Sequence, residues 1–323
     1  MGDGVMKCSN PAPITILALL LKSAVGRKMM VKYPTRANKS WYYFLIYIAP
    51  AFIMYLIFVL YPIISSFKLS LFDWNGVDPV KTFVGLKNYV ALIHDSQVKN
   101  AVWKSIYWTL GMSTIPVFLA LSIAALLSQN IRGRLLYRTV FYMPVVMSTA
   151  AIGVIWTWIY NPFFGIINQV LKVSGIAPIP FLGDPHWVMP SLFMTDTWSV
   201  FGFYMVIFLA AIQSIDPSVY DAAAVDGVNK FQEFIYITIP ALGNTITLVV
   251  TLAIMKALKV FAIIWIMTQG GPYHASETIP LLMYSKAFEE SKVGYGSAIA
   301  VVFTVIIMFL TVSFRKLRAD GND

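Results

Sequence analysis

The chain has 323 residues, 58% of them hydrophobic and only 12% charged, with a formal net charge of +9. A soluble globular chain carries roughly 25% charged residues, so the polar shell of a water-soluble fold is missing. The lone Cys8 excludes an intrachain disulfide framework and a multi-cysteine metal site. The scattered His94, His186 and His274 lack the H-E-x-x-H spacing of a helical zinc site, so no metal is expected.

Residues 1–41 read as a cytoplasmic tail. Its apolar stretch Pro13–Leu21 is too short to span a bilayer, which takes about 20 residues, and it lacks the small-residue cleavage pattern of a signal peptide. Apolar runs then recur at 43–66, 106–128, 139–160, 189–213, 244–267 and 297–314. Backbone in lipid must bond internally, so these are helices. The expected fold is all-α: a polytopic membrane helical bundle of six core transmembrane helices over residues 42–316, with a cytoplasmic tail at 317–323. Pro50, Pro62, Pro116 and Pro144 fall inside the runs and permit kinks.

Charge placement orients the bundle. Lys7, Lys22, Arg27, Lys28, Lys32, Arg36 and Lys39 precede the first run; Arg132, Arg134 and Arg138 sit in or beside the second connection; Arg315, Lys316 and Arg318 follow the last run. With six spans these clusters share one side, and the positive-inside rule makes that side the cytoplasm. Both termini are then cytoplasmic, and the basic excess reports contact with membrane lipid rather than with nucleic acid.

The outer connections carry their own patterns. The first, 67–105, holds Phe83-Val84-Gly85-Leu86-Lys87-Asn88-Tyr89. The second opens Asn161-Pro162 and runs through Gly165-Ile166-Ile167-Asn168, with apolar spacing that predicts a short helix on the membrane surface. The third, 268–296, opens Thr268-Gln269-Gly270-Gly271-Pro272, a tight turn.

The inner connection from Asp216 to Pro240 is different. It carries Asp216, Asp221, Asp226 and Glu233 against Lys230, an acidic excess on the basic side. Asp216 suits an N-cap and Pro217 the first helical position. Ala222, Ala223 and Ala224 favour helix, and Gly227 suits the left-handed residue that ends one. A second amphipathic segment with Phe231, Phe234 and Ile235 on one face follows, closed by Pro240. The small side chains of Ala222 and Ala223 would let another protein approach, with Asp221 placed to pair with an arginine. A turn that only joins two spans has the same local pattern.

This segment resembles the EAA loop of permease subunits of binding-protein-dependent ABC importers: E-A-A, three residues, G, nine residues, I-x-L-P. Asp221-Ala222-Ala223, Gly227 and Ile237-x-Ile239-Pro240 stand at those spacings, with Asp for Glu and Ile for Leu. The outer patterns F-x-G-L-x-N-Y, N-P…G-x-I-N and T-x-G-G-P resemble the sugar-type branch, the maltose and glycerol-3-phosphate permeases. The resemblance implies a type I importer permease that pairs with a second, homologous permease subunit. It implies two cytoplasmic ATPase subunits docking on the loop through Asp221, Ala222, Ala223, Asp226, Gly227 and Pro240, and an external solute-binding protein. This chain has no G-x-x-x-x-G-K-S/T, so ATP and Mg are expected on the partner ATPases and no cofactor on this chain.

In that branch the spans flanking the loop line the path. Thr197, Trp198, Ser199, Val200, Phe203 and Tyr204 offer aromatic faces and hydroxyls suited to a sugar. Lys256 and Lys259, three apart, are expected on one face of the fifth span, where a lysine costs roughly 2.5–3.5 kcal/mol. They suit an acidic cargo such as a uronate-containing, alginate-like oligosaccharide. The alternatives are an acid on the partner subunit, or a span boundary nearer the interface. An intramembrane enzyme would need paired acids or histidines within spans, and Asp196, Lys256 and Lys259 are the clearest ionisable residues there. A small-solute permease of the glycerol-3-phosphate type and a non-transporting scaffold or receptor are the remaining readings.

Overall fold

The computed structural model describes residues 40–129 and 131–319. Most of the expected N-terminal tail, with its basic residues and Cys8, lies outside the described residues, as do the last four residues and the side chains of Arg315, Lys316 and Arg318. The chain forms two units, Met1–Leu60 and Tyr61–Asp323. In the first, helix α1 spans Ser40–Tyr55, with Pro50 inside it, and a π-turn covers Leu56–Leu60.

The second unit opens with α2 (Tyr61–Leu69) and a two-residue antiparallel hairpin, Phe72–Asp73 against Thr82–Phe83. Helix α3 (Lys87–His94) leads to α4 (Ser96–Ser128). Helix α4 begins ten residues before the expected 106, because the Asp95 carboxylate caps it by accepting the Gln97 N–H at 2.8 Å. Helix α8 (Val188–Ile212) is a second unbroken helix long and apolar enough to cross a membrane. Helices α4 and α8 pack along each other around Trp108, Leu192, Met205 and Phe208, all essentially buried. Leu110, Phe118 and Leu126 line the opposite, outward side of α4. An apolar exterior over a well-packed interior is the surface a helix presents to lipid.

Two expected spans are broken. The run at 139–160 divides into α5 (Arg134–Tyr142), a 3₁₀ turn at Met143–Val146 and α6 (Thr149–Ile159), bent by 102°. Pro144 lacks an N–H, Met147 is extended, and the Ser148 hydroxyl restarts the helix by accepting the Ala151 N–H. The run at 244–267 ends early: α12 covers Gly243–Leu258 and a separate α13 covers Ala262–Met267. The short helix α14 (Ile279–Tyr284) follows, and the sixth run lies within α15 (Val293–Ala319).

The motifs of the three longer connections lock turns. The Asn88 side-chain amide donates to the carbonyls of Ser70 (2.9 Å) and Phe72 (3.0 Å), and the Tyr89 hydroxyl meets Ser70 Oγ at 2.6 Å. Helix α7 (Ile166–Val173) is the expected short surface helix, exposing Ile166, Val170 and Val173 and burying Asn168. Thr268 Oγ1 meets Ser276 Oγ at 2.8 Å, and Ser276 Oγ donates to the Gly271 carbonyl, closing the Gly-Gly-Pro turn.

Candidate functional site

The acidic loop from Asp216 to Pro240 folds as its residues direct. Helix α9 (Pro217–Val225) starts at Asp216, whose carboxylate accepts the Ser218 N–H at 2.9 Å; that bond holds Asp216 below the usual carboxylate range. Gly227 takes φ +75°, and the Val228 N–H returns to the Ala223 carbonyl at 3.1 Å. The next helical turn, α10 (Lys230–Glu233), is held by a capping box between Asn229 and Gln232, and Lys230 pairs with Glu233 at 2.7 Å. A π-turn at Phe234–Thr238 follows, then the short turn α11 (Ile239–Ala241), and a 75° bend into α12. Pro240 stands in the last turn of this helical stretch, which ends at Ala241. The bend falls at Leu242, two residues after Pro240, and α12 begins at Gly243.

The proposed contact residues do not all face outward. Asp221, Ala222, Asp226, Gly227 and Pro240 are exposed, whereas Ala223 is 6% exposed and packs inward. Phe231 stays on the surface while Phe234 turns toward the core, so the expected shared apolar face is divided. The Tyr220 hydroxyl meets Thr238 Oγ1 at 3.3 Å, tying α9 to the returning chain. A cavity of about 330 Å³ lies behind α9, lined by Tyr220, Asp221, Lys230, Glu233 and Gln129 among others.

Toward the middle of the bundle, the two helices flanking this loop meet again. Lys256 Nζ reaches Asp196 Oδ1 at 2.7 Å, and Ser199 Oγ donates to the same oxygen at 3.0 Å. Asp196 is 6% exposed, while the Lys256 side chain is 47% exposed. The buried face of α12 is Val249, Ala253 and Ala257, small enough for close helix approach. Lys259 is the C-cap of α12, with φ −97° and ψ 12°, and its N–H reaches the Lys256 carbonyl at 3.2 Å, so the helix ends at the second of the two exposed lysines. The interrupted turn runs through Val260, whose carbonyl accepts from Thr278 Oγ1 at 3.4 Å, to Phe261. Non-helical backbone at membrane depth is tolerated where it is buried or lines a water-filled cavity, and broken helices of this kind hold cargo in transporters.

The six candidates on α8 divide between faces. Thr197 and Trp198 line an apolar cavity of about 660 Å³ with Tyr107, Phe141, Phe193 and Phe201, away from the ion pair. Val200 and Tyr204 are buried, and Phe203 is exposed. Only Ser199 joins Lys256, through Asp196. The sequence marks Asp196 as an ionisable residue inside a span but not as the partner of Lys256. Among the described residues no group of three or more His, Cys, Asp or Glu could hold a metal.

Residues 116–319 match the family described as the binding-protein-dependent transport system inner membrane component. A probable ABC transporter permease from Bacillus subtilis is 34% identical over 86% of this chain and 96% of its own length. The trehalose/maltose transport system permease of Thermococcus litoralis is 30% identical over 85% and 93%. A diacetylchitobiose uptake system permease of Streptomyces coelicolor is 28% identical over 87% and 83%. A chain in the crystal structure of a bacterial alginate ABC transporter, in complex with a periplasmic protein carrying an alginate pentasaccharide, has a TM-score of 0.76. It is 22% identical, covering 85% of this chain and 93% of that one, a likeness of fold. The capped loop, the broken spans and these relatives together establish that the chain belongs to the binding-protein-dependent transport system inner membrane components, as a multi-pass ABC transporter permease subunit.

Proposed function

We propose that this chain is one of two homologous permease subunits of an oligosaccharide importer, with both termini in the cytoplasm and residues 42–316 as its permease domain. An external binding protein delivers the sugar. Two ATPase subunits, carrying ATP and Mg, dock on the inner loop and drive the cycle. The observation that carries this reading is helix α9: it is exposed along Asp221, Ala222 and Asp226 and fixed at both ends by the Asp216 cap and Gly227. The carbohydrate class is supported by the trehalose/maltose and diacetylchitobiose permeases among its relatives.

The test is capture of the ATPase by the paired permeases. Ala222→Leu adds bulk at an exposed position and is expected to weaken capture about tenfold, since overpacking a close contact costs roughly 1–3 kcal/mol. Neutral-sugar uptake should fall in parallel. Undiminished capture and uptake would refute the docking role.

An acidic cargo is a second reading, and Lys259 supports it. Its side chain is exposed at the helix break, and it has no acidic partner among the described residues. Uptake of a uronate oligosaccharide that drops selectively in Lys259→Gln would bear this out; unchanged preference for neutral sugar in both proteins would discard it.

A further inference from the structure

We propose that Asp196 sets the charge selectivity of the path by masking Lys256. The inference rests on the carbohydrate reading above and names the residue that tunes it. Lys256 is half exposed on the surface of this chain, inside a span. A lysine head cannot rest in hydrocarbon cheaply, so its open side faces water or a partner subunit. Within a turn of Lys256 along the chain come the exposed Lys259 and the interrupted backbone at Val260–Phe261, the kind of irregular chain that lines a wet cavity. Asp196 approaches from the buried side and is held in place by Ser199 Oγ, which donates to both its carboxylate (3.0 Å) and its main-chain carbonyl (2.7 Å).

The consequence is electrostatic. Two lysines near the break would present two positive charges to a passing sugar. The ion pair at 2.7 Å removes one of them, leaving Lys256 a donor of hydrogen bonds to hydroxyls rather than a net attractor of anions. Asp196 lies sixteen residues from the end of α8 at Ile212, about 24 Å from the inner loop at 1.5 Å per residue. It is therefore a selectivity residue that leaves the docking surface untouched.

The experiment uses the complete importer in proteoliposomes, with a neutral and a uronate oligosaccharide of equal length. Asp196→Asn unmasks Lys256 and should raise the acidic-to-neutral uptake ratio at least tenfold. Asp196→Asn/Lys256→Gln should return the ratio to within about twofold of the starting value. An unmoved ratio in an assembled Asp196→Asn complex overturns the proposal.

Because the single variant leaves a charge uncompensated and can fail to assemble, a second measurement stands beside it. In a Cys8→Ser background, Asp196→Asn/Lys256→Cys places one thiol at the site. A membrane-impermeant methanethiosulfonate reagent should modify it, and saturating sugar should slow modification at least fivefold. A thiol that stays unmodified, or is modified at the same rate with sugar, overturns the proposal. Wild-type complex that moves neither sugar counts against the carbohydrate reading, whereas wild-type complex that moves sugar, with a thiol that sugar does not protect, overturns the selectivity role alone.

Discussion

Gly202→Ala is expected to prevent the permease from accumulating in the membrane. A Cβ on Gly202 would run into the main-chain carbonyl of Phe141 and crowd Tyr142 Cα at 3.2 Å. The obstacle is backbone, which cannot swing aside as a side chain can. Phe141 and Tyr142 end α5, just before the 3₁₀ turn that breaks the third span. The helix is pinned there from both directions, since Phe141 also packs edge-on against Phe201 at 5.8 Å. Relief would need α8 to move away from α5, opening the buried core around Met205 and Phe208. Overpacking against mobile side chains costs roughly 1–3 kcal/mol. Against fixed backbone the cost should exceed about 3 kcal/mol, a large share of the marginal stability of a folded chain. Membrane-fraction yield and thermal stability in detergent measure it. A Gly202→Ala protein with wild-type yield and melting would show that α8 does not pack this closely on α5.

Asn168→Leu should destabilise the chain by about 2–4 kcal/mol, through a different mechanism. Asn168 is 2% exposed. Its amide nitrogen donates to the carbonyls of Ile179 (3.0 Å), Asn161 (3.2 Å) and Tyr160 (3.4 Å), and its oxygen accepts the Ile179 N–H at 2.8 Å. One side chain thus serves four main-chain groups of the second of the three longer connections. Leucine has the same branching and number of side-chain heavy atoms but serves none of them. Each buried group left unpartnered costs about 1–3 kcal/mol, less where water can enter. Detergent melting should fall by several degrees, and proteolysis between Asn161 and Ile179 should quicken. Unchanged melting would mean that these bonds are replaced by water at no cost. The same residue closes the N-P…G-x-I-N pattern, so a motif that resembles a family signature is here a hydrogen-bond requirement of the turn.

The loop from Asp216 to Pro240 was legible because its signals act within a few residues. Asp216 caps a backbone two positions on, Pro217 enters a first turn, and Gly227 takes a left-handed φ that other residues avoid. The same locality made the α7 surface helix readable. The faces within the loop were not readable in this way: Ala222 and Ala223 are adjacent and chemically identical, yet one is exposed and the other packs inward. Which alanine faces the core depends on the rotation of α9, fixed by Tyr220 against Thr238 from across the loop.

The apolar runs determined the membrane class, because backbone in lipid must bond to itself whatever surrounds it. The break after α5 falls at Pro144, a kink site that the sequence marks. The runs could not reveal that α12 stops at Leu258, beside a Val260 carbonyl that accepts from Thr278, eighteen residues on. The sharpest difference is at Lys256. Sequence spacing paired it with Lys259, its neighbour three residues on. The tertiary structure ends the helix at Lys259 and pairs Lys256 with Asp196, sixty positions away, because only the packing of α12 on α8 brings a buried carboxylate within 2.7 Å of its ammonium.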